Sequence, residues 1–279
     1  MGTLYICGTP IGNLEDISLR ALRILREADC VAAEDTRHTL KLMNHYGIKT
    51  PLTSYHEHNK REKGPDLLRQ LNQGRNIALV TDAGMPCISD PGVDLVKLCL
   101  DNNIPIVSVP GPSAVITALA LSGMDTRRFV FEGFLPRAHK KRREVLDELR
   151  GETRSIVLYE APHRLKGTLS DLEAVCGNRP AALARELTKA HEEVERAGLS
   201  ELAAKFVDTE PVGEYVIVIN AFEPADKPAN RDISAKENVE RYMRDGITEM
   251  EAIKKAAKDM GVGKREVYRS LKISGCKSC

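Results

Sequence analysis

The 279 residues carry 41 Lys and Arg against 40 Asp and Glu, a formal net charge of +1, with 42% hydrophobic residues and no Trp. This length accommodates two α/β domains of ~100–150 residues and a small appendage, and the composition is that of an ordinary globular chain, which excludes the disordered and fibrous classes. No apolar run approaches the ~20 residues of a membrane helix, and no charged lead with an apolar core precedes the first strand, so neither a membrane span nor a signal segment is expected.

Charge is unevenly spread: residues 234–279 hold 11 Lys and Arg against 7 Asp and Glu, leaving residues 1–233 net negative. The seven cysteines are dispersed, which favours a reduced, cytoplasmic chain over a disulfide scaffold.

Leu4–Cys7 reads as a strand leaving into Gly8-Thr9-Pro10-Ile11-Gly12, and a helix from about 18 to 28 follows. The glycine spacing matches neither the dinucleotide fingerprint nor a phosphate loop. Cys30–Ala33 is the second strand and ends in Glu34-Asp35-Thr36-Arg37-His38. Asp35 or Thr36 can serve there as a helix cap, and Arg37 can pair with an acid. After a helix over 38–46, the third strand ends in Tyr55-His56-Glu57-His58, with no close Cys or His cluster to complete a zinc site. An amphipathic helix over 61–73 leads to the stretch that organises the chain, Asn76 to Gly92. It is a buried strand followed by Thr81-Asp82-Ala83-Gly84-Met85-Pro86 and Ser89-Asp90-Pro91-Gly92. In an open α/β sheet such strand ends are where ligands bind, although the acids can also cap helices and the glycines can simply make turns. A helix over 92–100 and the strand 104–109 run into Pro110-Gly111-Pro112-Ser113-Ala114, where Ser113 can cap an apolar helix closed by Gly123.

A second α/β domain is expected over 123–222. Its strands lie at 129–134, 155–159, 181–184 and 215–219, and a basic loop at 135–143 leads into a helix. Residues 223–233 read as a linker, and 234–275 as three short helices in a helix-turn-helix-like layout with capping boxes at Ser234 and Thr248. That unit can bind nucleic acid or pack on the body. The terminal Cys276-Lys277-Ser278-Cys279 has no second ligand pair, and no metal is expected.

Gly8-Thr9-Pro10-Ile11-Gly12-Asn13-Leu14, Glu34-Asp35-Thr36-Arg37, the two motifs after residue 80, and Val109-Pro110-Gly111-Pro112-Ser113-Ala114 form an ordered set. Gly133-Phe134-Leu135-Pro136, Tyr159-Glu160-Ala161-Pro162-His163-Arg164 and Ala184-Arg185-Glu186-Leu187-Thr188-Lys189 extend it. Over about residues 3–222 the set resembles the small-subunit ribosomal RNA 2′-O-ribose methyltransferase I family, within the tetrapyrrole methylase fold class. The resemblance implies an α/β, two-domain fold with S-adenosylmethionine in a cleft between the domains, plus a small C-terminal helical domain. It also implies methylation of a cytidine ribose in the decoding region of 16S ribosomal RNA within the small ribosomal subunit. A cytoplasmic homodimer without membrane or DNA partners is implied as well.

Carried over, Asp82, Ala83, Gly84, Pro110, Gly111, Pro112 and Ser113 hold the cofactor together with Tyr159 and Glu160. Glu34, Asp35, His56 and Lys189 are the candidates to take the hydroxyl proton. Arg37, Arg137, Lys140, Lys141, Arg142, Arg143, Arg164 and Arg185 are candidates for RNA phosphates. The rival readings are a corrin, porphyrin-precursor or protein methyltransferase of the same fold, and a non-catalytic RNA-binding protein.

Overall fold

The computed structural model describes residues 1–88, 90, 92–222, 235–244, 246–260 and 262–274. The chain divides into two compact units, Met1–Phe222 and Glu223–Cys279.

In the first unit, strands β1 (Leu4–Cys7), β2 (Cys30–Ala33), β3 (Leu52–Ser54), β4 (Ile77–Val80) and β5 (Ile106–Val109) are interleaved with helices. These are α1 (Leu19–Glu27), α2 (Thr36–His45), α3 (Lys60–Asn72) and α4 (Gly92–Asp101), and α5 (Ala114–Ser122) follows β5. The five strands are all parallel, in the order β3-β2-β4-β1-β5. Alternate side chains go to opposite faces of a strand. Val31, Ala33, Ala78 and Val80 therefore pack with Leu22, Leu25, Leu42 and Met43 of α1 and α2. Leu4, Ile6, Ala32, Ile77 and Leu79 pack with Leu67, Leu71, Leu95 and Cys99 of α3 and α4. Because β1 lies between β4 and β5, the carboxyl ends of these three strands meet at the point where the strand order reverses, the ordinary ligand position of such a sheet.

A second, mixed sheet has the order β6-β7-β10-β8-β9, formed by β6 (Phe129–Phe134), β7 (Ser155–Glu160), β8 (Pro180–Arg185), β9 (Glu193–Gly198) and β10 (Tyr215–Ile219). Its helices are α6 (His139–Arg150), α7 (Pro162–Cys176) and α8 (Leu199–Lys205). On β10 the period of two is plain. Tyr215, Ile217 and Ile219 enter the core under α6, α7 and α8, while Val216 and Val218 meet Val115, Ala118 and Leu119 of α5. Helix α5 thus belongs to the first half by sequence and covers a face of the second sheet by packing.

Three features of this unit depart from the sequence reading. Helix α7, strand β9 and helix α8 had not been placed. The basic stretch is not all loop, since α6 begins at His139 and puts Lys140, Lys141, Arg142 and Arg143 in its first turns. Ser113 occupies the N-cap position of α5, but its hydroxyl makes no capping bond.

The second unit contains α9 (Ala235–Arg244), α10 (Glu249–Asp259) and α11 (Lys264–Ser274) around Val239, Ala252, Ile253, Ala256, Ala257 and Val267. The Thr248 hydroxyl does not cap α10 and instead sits 3.4 Å from the Glu251 carboxylate. The linker at 223–233, Ser89, Pro91, the cap at Ser234 and the terminal cysteine pair lie outside the described residues. Among the described residues no helix is long and apolar enough to cross a membrane, and no group of three or more His, Cys, Asp or Glu is placed to hold a metal ion.

Candidate active site

The ends of β1, β4 and β5 are joined backbone to backbone. A Cβ built on Gly8 would lie 2.7 Å from the Gly111 Cα, and one on Gly111 would lie 2.8 Å from the Gly8 Cα, so neither position has room for a side chain. Thr9 and Gly84 exchange backbone hydrogen bonds of 2.9 and 3.1 Å, and the Thr9 hydroxyl donates to the Thr81 carbonyl. Gly84 has φ +84°, a conformation in which L side chains are strained.

These turns form one wall of a cavity of about 430 Å³. Ile11, Thr81, Ala83, Gly84, Met85 and Ser113 line it from the first sheet and its loops. Phe134, Tyr159, Glu160, Leu187, Glu214 and Tyr215 line it from the second. The Tyr159 ring stands 4.9 Å from Phe131 and 5.5 Å from Phe134 by centroids, and burial pushes its phenol pKa up. The size is that of a pocket for a molecule of cofactor size.

The polar lining is acidic. Glu34 accepts a 2.6 Å hydrogen bond from the Thr81 hydroxyl. Asp90 accepts the backbone N–H groups of Cys87 and Gly92, each at 2.8 Å, and burial nonetheless pushes its carboxyl pKa up. Asp82, one strand-end turn away, is likewise raised by burial while it accepts the Asp35 N–H. Glu160 is buried, accepts the Thr168 hydroxyl and the Ala161 N–H, and pairs with Arg164.

Of the cofactor candidates, Ala83, Gly84, Ser113, Tyr159 and Glu160 line the cavity, while Asp82, Pro110, Gly111 and Pro112 do not. Of the proton acceptors only Glu34 lines it. The Asp35 carboxylate is engaged by the N–H and guanidinium of Arg37, which hold its pKa well below the usual range. His56 does not line the cavity; its ring Nδ1 is buried without a partner. At Lys189 burial disfavours the charge, but the carboxylates of Glu214 and Glu186 at 2.8 and 3.0 Å outweigh it and raise the ammonium pKa, so this group stays protonated. Three proposed phosphate contacts are committed inside the fold. Arg142 is bound to Asp171 and Thr168, Arg164 to Glu160 and the Leu135 carbonyl, and Arg185 to Glu193. Arg37, Arg137, Lys140, Lys141 and Arg143 are exposed.

Residues 3–203 match the model of the Tetrapyrrole (Corrin/Porphyrin) Methylases. The chain is 46% identical over 270 residues to the ribosomal RNA small subunit methyltransferase I of Halalkalibacterium halodurans, covering 96% of this chain and 93% of that one. This chain belongs to the ribosomal RNA small subunit methyltransferase I family.

A second family relative, from Thermotoga maritima, is 48% identical over 223 residues, which cover 80% of this chain and all of that one. Among solved structures, the diphthine synthase structure has a TM-score of 0.61 at 17% identity over 78% of this chain and 90% of that one. Uroporphyrin-III C-methyltransferase from Thermus thermophilus, complexed with S-adenyl homocysteine, has a TM-score of 0.56 at 21% identity, covering 78% and 97%. At such identities these structures share the fold. The expectation of a cytoplasmic homodimer is corrected here: the family relatives are bacterial and are named for methyl transfer to small-subunit RNA, and neither a compartment nor a dimer follows from them.

Reasoning from the sequence had not assigned Thr81, Asp90, Leu187, Glu214, Tyr215 or Val216 to the site. Thr81 and Asp90 stand inside motifs already singled out. Glu214 to Val216 had no local signal, because they reach the cavity only through the pairing of Tyr215 with Glu160 and Arg185.

Proposed function

We propose that this enzyme transfers the methyl group of S-adenosylmethionine to the ribose 2′-hydroxyl of a cytidine in the decoding region of 16S ribosomal RNA, with the cofactor held between the two α/β halves. The observation that carries the reading is the acidic cavity shared by both sheets, in a chain related along nearly its whole length to small-subunit RNA methyltransferases. Glycine backbone at one wall and aromatic rings at the other suit a flat base, and Glu34 and Asp90, which no cation of the chain pairs in the described residues, suit a cation. When bound, the cofactor supplies a sulfonium-activated methyl group. The same carboxylates repel phosphate, so the lining favours a ribose hydroxyl facing it with the flanking phosphates turned away.

Glu34 is the candidate proton acceptor. Held by the Thr81 hydroxyl, its carboxylate would take the hydroxyl proton as the O–CH₃ bond forms and the S–CH₃ bond breaks. Ser113, whose hydroxyl is not used to cap α5, adds a hydrogen-bonding group to the same wall. Arg137, Lys140, Lys141 and Arg143 are the candidates for phosphate contacts, whereas the Arg37 guanidinium is engaged by Asp35. The cations in the first turns of α6 oppose the helix dipole, and an anionic partner would relieve that arrangement.

Purified protein, radiolabelled S-adenosylmethionine and small ribosomal subunits from cells lacking the gene provide the test, with the product mapped by mass spectrometry. A methyl group on a decoding-region cytidine ribose is the expected result. Cofactor binding with no transfer to RNA would move the substrate to a small molecule or a protein.

A further inference from the structure

The residues that line the cavity belong to the first unit, and the second unit has a surface chemistry of its own. Helix α10 turns inward with Ala252, Ile253, Ala256 and Ala257, and α11 with Val267. The outward faces carry Lys254 and Lys258 on α10, and Lys264, Arg265 and Arg269 on α11, all exposed, with the exposed acids Glu251 and Glu266 among them, while Lys255 lies over the Tyr242 ring of α9. Asp259, the acid at the end of α10, faces α9, where it pairs with Arg241 and accepts the Tyr242 hydroxyl. Helices α10 and α11 follow one another in the chain and pack together, in the order of a helix-turn-helix. A helix periodicity of 3.6 puts Arg265 and Arg269 one above the other on α11, so their charges project from one face.

We propose that this face is a second grip on RNA, binding the phosphates of a double-helical segment through Arg265 and Arg269 with Lys254 and Lys258 of α10 as further contacts. The proposal rests on the reading of small-subunit RNA as the substrate. The charge complementarity is to phosphate rather than to base edges. An A-form duplex has a major groove too deep and narrow for side chains to read, so a helix presenting cations meets its backbone and shape. Such binding holds a structured RNA without selecting sequence, and leaves the choice of nucleotide to the cavity.

The experiment is filter binding of in vitro transcribed small-subunit RNA by the full chain across a salt series, comparing wild type with R265E/R269E and R265K/R269K. Each phosphate contact steepens the dependence of affinity on salt, by about one unit in the log–log slope. The reversed variant is expected to bind about tenfold or more weakly at low salt, with a slope shallower by about two, and the lysine variant to keep the wild-type slope. Thermal melting verifies that the variants fold, and K254E/K258E supplies an independent variant on the neighbouring helix, with the same loss expected. Unchanged affinity and slope in folded charge-reversed proteins would overturn the proposal. So would weaker binding with an unchanged slope, which is the mark of a contact other than phosphate. Methyl transfer by the wild type to small subunits is scored separately, so failure of the substrate reading and failure of this surface are read from different measurements.

Discussion

At the scale of single residues, the cavity distinguishes groups that sequence alone left equivalent. Glu34 and Asp35 are neighbours, but only Glu34 lines the cavity with its carboxylate on a hydroxyl, whereas Asp35 is neutralised by Arg37. Glu34→Gln keeps the size of the side chain and removes its basicity. It is expected to lower kcat for methyl transfer by about 10²–10⁴ without raising the KM for small subunits, and an unchanged kcat would remove Glu34 from the proton path. Gly111→Ala tests the backbone contact beneath the cavity. Its added methyl meets Gly8 backbone that cannot rotate away, so a loss of about 1–3 kcal/mol in stability is expected, together with weaker cofactor binding by calorimetry. The strand-end polarity of Glu34, Thr81 and Asp82 was legible because those residues follow apolar runs. The fate of Arg142, Arg164 and Arg185 was not, because an arginine committed to Asp171, Glu160 or Glu193 looks in sequence like any other cation.

At the scale of elements, the parallel sheet was readable almost strand by strand, since β1, β2 and β4 are short apolar runs ended by glycine or acids. The second sheet was less so. Strand β9 is an edge strand of Glu193-Val194-Glu195-Arg196-Ala197-Gly198, whose charged side chains suit a single partner strand and give no apolar signal. Helix α7 starts with Pro162 directly at the end of β7, where Pro is at home in a first turn, and the polar motif around it obscured the helix. Between α6 and β7 the chain turns on Glu152, whose carboxylate accepts the N–H and the guanidinium of Arg154. This pair holds the Glu152 pKa down, to about 2. A carboxylate lowered on folding stabilises above its ordinary pKa near 4.5 and loses that contribution as pH falls through about 2. Glu152→Gln is therefore expected to destabilise the protein by about 1 kcal/mol or less at neutral pH, discounted for the exposed arginine, with the difference from wild type vanishing near pH 2. Urea melts across that range measure it, and a difference that persists to the acid end would contradict the pairing.

At the scale of the whole molecule, residues 1–222 share one cavity and one joint. Helix α5 buries Val115, Ala118 and Leu119 against Val157, Ala182, Val216 and Val218 of the second sheet, and the cavity takes its walls from both halves. A ligand held there stabilises both together. S-adenosylmethionine at a hundred times its Kd is expected to add about 2.7 kcal/mol, and calorimetry should show the transition of this unit rising without splitting; a split with only one half shifted would show that the halves melt apart. Sequence patterns could reveal that strand ends carry function, but not that ends from opposite sheets meet, because that depends on pairings between distant segments such as Tyr215 with Glu160. The strand order has one more consequence, for synthesis. β1 is an interior strand, and its flanking strands β4 and β5 are encoded about 70 and 100 residues later. At elongation rates of about 5–20 residues per second, an apolar strand waits for seconds before either neighbour exists. An interior strand of the finished sheet is thus the one that the nascent chain leaves open longest, and slowed translation over residues 8–76 would lengthen its exposure to aggregation.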